Sequence, residues 1–391
     1  MRNVRVRLVL AAVATLALVA AGCGGGGDDD GSTQAPAATA PAGDAVNLAE
    51  VCPNPVVIQT DWDPESEYGV YYHLLGPNPK VDTKKKLVSG SLVAGGKDTG
   101  VRLEVRTGGP SIGFEPVSSQ MYKDPAITLG QVSTDEAIRF SAKQATLAVV
   151  APMEISPFMI MWDPQAYPQF NTIADIGKTD TKVLYFEGDT YMAYLTGTGV
   201  LKKSQVDGSY DGKPGNFVAA DGKVAQAGFA TSEPYIYEHE VRQWGKPVKY
   251  ALVNEAGYPF YPQALSIRAA DKDKLAPCLK KLVPIIQRAQ VDYLANPTET
   301  NKFVVDLVKQ YNDGWVYSEG LANYAIEKMR SDFVKNGSDK TLGNFDNARL
   351  QRMIEIVTPI FTAQNQPPKS GLKPEDIATN EFIDTSIGVP A

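Results

Sequence analysis

The chain has 391 residues, 43% of them hydrophobic, with 38 Lys and Arg against 45 Asp and Glu and a formal charge of −7. That balance excludes nucleic acid as a partner, because neutralising phosphates needs clustered basic side chains. The one basic run, Lys84-Lys85-Lys86, reads as a solvated loop. Two histidines, His73 and His239, neither at ligand spacing to a cysteine, give no basis for zinc, and nothing in the sequence asks for another metal or a cofactor.

The chain opens with Arg2, Arg5 and Arg7, then a 14-residue apolar run from Leu8 to Ala21. The run falls short of the about 20 residues that span a bilayer, and small residues close it, so residues 1–22 are expected to be a signal peptide. Val19-Ala20-Ala21-Gly22-Cys23 resembles a lipobox, with Ala20 where leucine is usual. Cys23 is therefore expected to carry lipid as the first residue of the mature protein; an ordinary secretory signal is the alternative. Residues 23–50 are mostly Gly, Asp, Ser, Pro and Ala, a composition that buries little and suits a flexible tether. Without the signal arginines the charge becomes −10, 35 basic against 45 acidic residues.

Lipidation leaves Cys52 and Cys278. Outside the cytoplasm an even pair oxidises, which predicts a Cys52–Cys278 disulfide between the first strand and a helix at 271–294. Two buried thiols are the alternative.

From Pro55 short strands alternate with helices. Val56 to Gln59 is a compact apolar strand ending in Asp61-Trp62-Asp63-Pro64, and Tyr68 to Leu75 reads as a helix. Val101 to Val105 alternates apolar and charged residues, as a strand with one buried face does, and stops at Gly108-Gly109-Pro110. A helix at Glu115 to Tyr122, a strand at Ile127 to Leu129 and a helix at Glu136 to Lys143 capped by Thr134-Asp135 follow, then strands at Leu147 to Val150 and Phe158 to Met161. Further strands are expected at Lys182 to Phe186, Val224 to Phe229, Val248 to Val253 and Leu265 to Ile267, with helices starting at Thr172, Gly188-Asp189-Thr190 and Thr231-Ser232-Glu233-Pro234. The last third is mainly helical, at about 271–294, 298–312, 318–334 and 346–363. Such alternation implies an α/β fold with mainly parallel sheets, in which ligands sit at the carboxyl ends of strands.

Asp61-Trp62-Asp63-Pro64 followed by Tyr68-Gly69-Val70-Tyr71 is similar to the opening D-W-x-P…H-x-G-x-Y segment of type II periplasmic solute-binding proteins, in the branch for nitrate, sulfonate, taurine and thiamine-pyrimidine precursors. The family's loop histidine is absent; Glu67-Tyr68 stand near its place. Gly108-Gly109-Pro110, the turn from Gly130 to Asp135 and Glu233-Pro234 match in order, so the resemblance covers about residues 55–270. It implies a two-lobed α/β fold with a ligand cleft and a helical C-terminal part. The lobes are expected as 51–155 with a helical return at 257–363, and 156–256, with crossovers near Glu154 to Pro157 and Asn254 to Gly257 and an extended tail at 364–391. The partners implied are a small-molecule ligand and an ABC permease with its cytoplasmic ATPase, served by a monomer held to the extracytoplasmic face of the membrane through its lipid.

The expected ligand-binding residues are Asp61, Trp62, Tyr71, Gly109, Ser111, Thr134, Asp189, Tyr191, Glu233 and Tyr235. Each has a plain structural alternative. Trp62 stacks a ring or fills the first lobe, and Tyr68 or Tyr71 belongs to the core. Asp61, Thr134, Asp135, Asp189 and Glu233 also suit turn or helix capping. Gly109 and Ser111 offer N–H and hydroxyl groups or form an ordinary turn. Asp61, Asp63, Glu67, Asp135, Glu187, Asp189 and Glu233 lie at the strand mouths with only Arg106 and Lys123 near them. That charge, with Trp62, Tyr71, Tyr191 and Tyr235, points to a nitrogenous ligand, pyrimidine-like or amine-bearing, over nitrate or an alkanesulfonate. No Gly-x-Ser-x-Gly elbow or Cys–His nucleophile pair is present, so a binding protein is expected and not an enzyme. Nitrate-, sulfonate- or taurine-type anion binding, a structural or adhesive lipoprotein, and an enzyme of the same fold are the alternatives.

Overall fold

The computed structural model describes residues 46–390; Cys23, the signal segment and most of the tether lie outside them. Twelve strands are formed in the described residues: β1 (Val56–Gln59), β2 (Lys80–Asp82), β3 (Leu87–Ala94), β4 (Lys97–Arg106), β5 (Leu129–Gln131), β6 (Thr146–Val150), β7 (Phe158–Trp162), β8 (Val183–Leu184), β9 (Val206–Asp207), β10 (Ala225–Phe229), β11 (Lys249–Leu252) and β12 (Leu265–Arg268). They make two sheets, one in the order β2-β3-β4-β1-β5-β12-β6 and one in the order β11-β7-β10-β8-β9.

Burial follows from position in the sheet. β1 lies between β4 and β5, parallel to both, and all four of its residues are buried, as its Val-Val-Ile run requires. β4 is further out and alternates buried Val101, Leu103 and Val105 with Arg102, Glu104 and Arg106. The expectation of mainly parallel sheets is corrected, because both sheets are mixed. β7 pairs antiparallel with β10 and β11, and β12 antiparallel with β5 and β6. Parallel pairing needs a crossover that brings the chain back to the starting edge. β7 and β12 are the first strands after the chain passes between sheets, through 151–157 and 253–264, and they arrive without one. β2 and β3 carried no sequence expectation. The β3–β4 hairpin is turned by Gly95 and Gly96 at φ 54° and 74°, a two-residue turn with both φ positive that glycine adopts without strain.

The C-terminal helices Lys272–Ala295, Thr298–Tyr311 and Glu319–Lys328 join the first sheet in one buried core, to which Leu279, Leu282, Val283, Val304, Leu307 and Leu321 contribute with Val56, Ile58 and Leu103. The Cys52–Cys278 disulfide ties the segment before β1 to the first of these helices. After helix Asn347–Ala363 the chain runs back along β6, where Ala148 N donates to Ile377 O at 2.8 Å and Thr379 N to Ala148 O at 2.9 Å, so the edge of the first sheet is covered. Arg349 binds both passages between the sheets: its Nη1 donates to the Glu154 carbonyl (2.8 Å) and carboxylate (3.0 Å), and its Nη2 to the Phe260 carbonyl at 2.8 Å. Among the described residues no helix is long and apolar enough to cross a membrane.

Candidate ligand cleft

A cavity of about 290 Å³ lies between the two sheets, the size of a small organic molecule. One wall comes from the loop after β1 (Asp61, Trp62, Glu65, Tyr68), from Phe114 to Val117, and from Gln131 to Phe140. The other comes from Phe186 to Tyr191, Tyr210, Gly212 and Ala227 to Glu233. The loops stand there because β1, β8 and β10 end there, so the carboxyl ends of parallel strands present the site.

Of the sequence candidates, Asp61, Trp62, Asp189, Tyr191 and Glu233 line the cavity. Tyr71, Gly109, Ser111, Thr134 and Tyr235 do not. Tyr71 is fully buried in the first lobe, where its hydroxyl accepts from Gln131 Nε2 at 3.2 Å. Gly109 supports Trp62 from behind. Its N–H donates to the Asp61 carbonyl at 2.9 Å, its φ is +53°, and a Cβ there would come within 2.9 Å of the indole. Ser111 is exposed. Thr134 joins the helix Thr134–Phe140 to the 258–261 loop, its hydroxyl accepting from Tyr261 N and its N–H donating to Tyr261 O, both at 3.0 Å. Ser133, not Thr134, holds the position before that helix. Tyr235 packs 5.5 Å from the Tyr324 ring with its hydroxyl over Gly320.

Sequence reasoning missed much of the aromatic wall. Trp62 meets Phe114 at 5.8 Å and Phe186 and Trp315 each at 6.3 Å between ring centroids. Phe158 sits 4.6 Å from Phe229 and 5.5 Å from Tyr191. Phe186 ends an expected strand, but nothing local marks Trp315, which a helical hairpin delivers from the far end of the chain.

The polar lining is acidic. Glu233 accepts from the Tyr210 hydroxyl at 2.8 Å and from Phe229 N at 2.6 Å. Asp189 accepts from the Tyr191 hydroxyl at 2.8 Å. Burial pushes Asp61 up to about 6 and Asp189 and Glu136 up to about 7. Glu65 is raised well above the usual carboxylate range, first by burial and then by the charges of Glu67, Asp61 and Glu233. Behind it Glu67, 1% exposed, is pushed by burial up to about 7, and the nearby Thr231 hydroxyl offsets this only in part. Arg139 is the one basic side chain on the lining, and its Nε donates to Gln366 at 2.5 Å. Asp135 links the two walls, accepting from Ser133, Glu136 N, Tyr258 and, across the cleft, Thr190. Among the described residues no group of three or more His, Cys, Asp or Glu is placed to hold a metal ion.

Two α/β lobes with two passages between them and a cavity where they meet form the type II periplasmic-binding-protein fold. Among the solved structures that resemble this chain are two with the following likeness. A protein of Bordetella bronchiseptica RB50 has a TM-score of 0.52 at 14% identity, covering 85% of this chain and 96% of its own. The periplasmic aliphatic sulphonate binding protein SsuA of Escherichia coli has a TM-score of 0.50 at 14% identity, covering 87% of this chain and 94% of its own. At such identity the likeness is one of fold. No protein-family model and no curated protein matches the sequence.

Proposed function

We propose that the chain is the solute-binding component of an ABC importer, held to the extracytoplasmic face of the cell membrane by lipid on Cys23, and that it is a binding protein with no catalytic role. It captures a small nitrogenous ligand between its lobes and presents the closed form to a permease. The lobes are 51–155 with 257–363, and 156–256. The observation that carries the reading is the lining of the cleft, where Asp61, Glu65, Asp189 and Glu233 stand among aromatic rings and Arg139 is the single basic side chain. An anion site would use free arginines or open helix N-termini. The fold-mate from Escherichia coli is named for sulphonate binding, whereas this lining is rich in acidic groups, which do not favour an anion.

A thermal-shift panel on the full chain tests the reading. Stabilisation by amines or pyrimidines, with none by taurine or nitrate, is expected; the reverse overturns the ligand class, and silence across the panel, with no compaction in solution scattering, overturns solute binding. Once an unliganded protein is in hand, a ligand that favours the closed lobes should compact it.

A further inference from the structure

Acceptors in the cleft exceed the donors the protein directs at them. Asp189 and Glu233 each have a tyrosine hydroxyl, from Tyr191 and Tyr210. Glu65, 5% exposed, and Asp61 both lie beside the Tyr68 hydroxyl, the one neighbouring donor that favours their charged forms in common, and that hydroxyl accepts from Gln263 Nε2 at 2.9 Å. The same Gln263 nitrogen reaches toward Asp61 Oδ1 at 3.4 Å, which orients the amide. The other end of that amide, Oε1, is left without a partner on a side chain 3% exposed in the lining of the cavity. Ser232, 4% exposed and also in the lining, has an unpartnered hydroxyl. Buried acceptors left in this state cost free energy until a donor arrives.

Three kinds of head group can be compared on this floor. An anion adds charge beside carboxylates that already repel each other. A neutral acceptor leaves Gln263 Oε1 without a donor. A cation with several N–H groups meets Glu65 with a charge-assisted bond and Gln263 Oε1 with a second, and Ser232 can accept a third. The same cavity is lined by Trp62, Phe114 and Phe186, whose ring centroids are 5.6 to 6.3 Å apart, with Trp315 6.3 Å from Trp62. Phe114 remains 48% exposed, although it is one of the largest apolar groups of the loop. Such a wall takes a flat apolar body by stacking and tolerates a neighbouring positive charge through the ring quadrupoles.

We infer that the cleft takes an aryl-bearing organic cation, its ammonium or amidinium seated on Glu65 and Gln263 and its ring among Trp62, Phe114, Phe186 and Trp315. This rests on the solute-binding reading and narrows its ligand class. It also has a signature in protons. In the empty cleft burial and the neighbouring Glu67, Asp61 and Glu233 favour the protonated form of Glu65, so an arriving cation is expected to release a proton.

Three probes with one ring separate the head groups: 2-phenylethylammonium, 2-phenylethanol and 2-phenylethanesulfonate, each titrated calorimetrically into the full chain near pH 6. The ammonium is expected to bind at least tenfold more tightly than the alcohol, the sulfonate not at all, and buffers of different ionisation enthalpy should report proton release for the ammonium alone. Glu65→Gln should weaken the ammonium at least tenfold and leave the alcohol within twofold. Equal binding of the alcohol, preference for the sulfonate, or silence with all three overturns the aryl-cation class; the amine, pyrimidine, taurine and nitrate panel then decides separately whether the cleft binds a solute. If Glu65→Gln does not fold, proton release by the unaltered protein decides, and binding of the ammonium without it overturns the seat on Glu65.

Discussion

Two carboxylates of the cleft are buried almost equally and are treated oppositely by their surroundings. Asp135, 2% exposed, accepts from Ser133 and Glu136 N of its own turn, from Tyr258 at 2.9 Å and from Thr190 of the facing lobe. Glu65, 5% exposed, has one shared hydroxyl and three acidic neighbours. A carboxylate whose lone pairs are filled from within the protein is part of the frame. One whose lone pairs are left over is poised for something from outside. Asp135 holds the lobes in register, and Glu65 waits at the meeting point.

Four experiments break or sharpen that contrast. Asp135→Ala removes the acceptor shared by the Ser133, Tyr258 and Thr190 hydroxyls and is expected to cost about 3 kcal/mol in a urea titration, the largest effect, without selective loss of any ligand. A loss of ligand discrimination with unchanged stability would reverse the roles assigned here. Glu65→Gln should act the other way, raising the melting temperature of the empty protein while removing about 2 kcal/mol of ammonium binding.

The pH dependence comes next. Asp61 and Asp189 are raised by burial to about 6 and about 7, so the folded protein binds their protons more tightly than the unfolded chain does. Their contribution is fully present below the unfolded value of 3.8 and is lost as pH rises through 6 to 7. The melting temperature of the empty protein should therefore fall between pH 4 and pH 7.5, at roughly 1.4 kcal/mol per unit for each group in its window, and a cationic ligand should flatten the slope. The smallest effect is that of Tyr210→Phe, which removes the 2.8 Å donor to Glu233 and should cost about 1 kcal/mol in the same titration.

Much of the frame was legible from the chain alone. Apolar runs such as Val56 to Gln59 and Phe158 to Met161 are strands because a buried strand needs both faces apolar. The four C-terminal helices were legible in the chain and lie within a residue or so of the expected limits, the third when its π-helical continuation Met329–Phe333 is counted. β2 and β3 were not read, although Gly95-Gly96 between Ala94 and Lys97 is a hairpin signal. Of the cleft, the residues just after strands were legible, Asp61, Trp62, Asp189 and Glu233, since strand ends must open onto something. Tyr71 and Gly109 were misplaced because a side chain one helical turn or one bond away points elsewhere: Tyr71 into the core, and the Gly109 N–H to the Asp61 carbonyl.

By itself the sequence determined the alternation of strands and helices and the acidic cast of the loops, properties that composition and spacing carry, while the bond between Cys52 and Cys278, expected with two buried thiols as the alternative, is settled by the structure. Only the tertiary structure decided that Trp315 and Phe186 meet Trp62, that Asp135 is satisfied across the lobes, and that Glu65 is not. The reason is physical. Whether a buried carboxylate is filled or left wanting depends on donors far away in the chain, and no local pattern records where those donors come to rest.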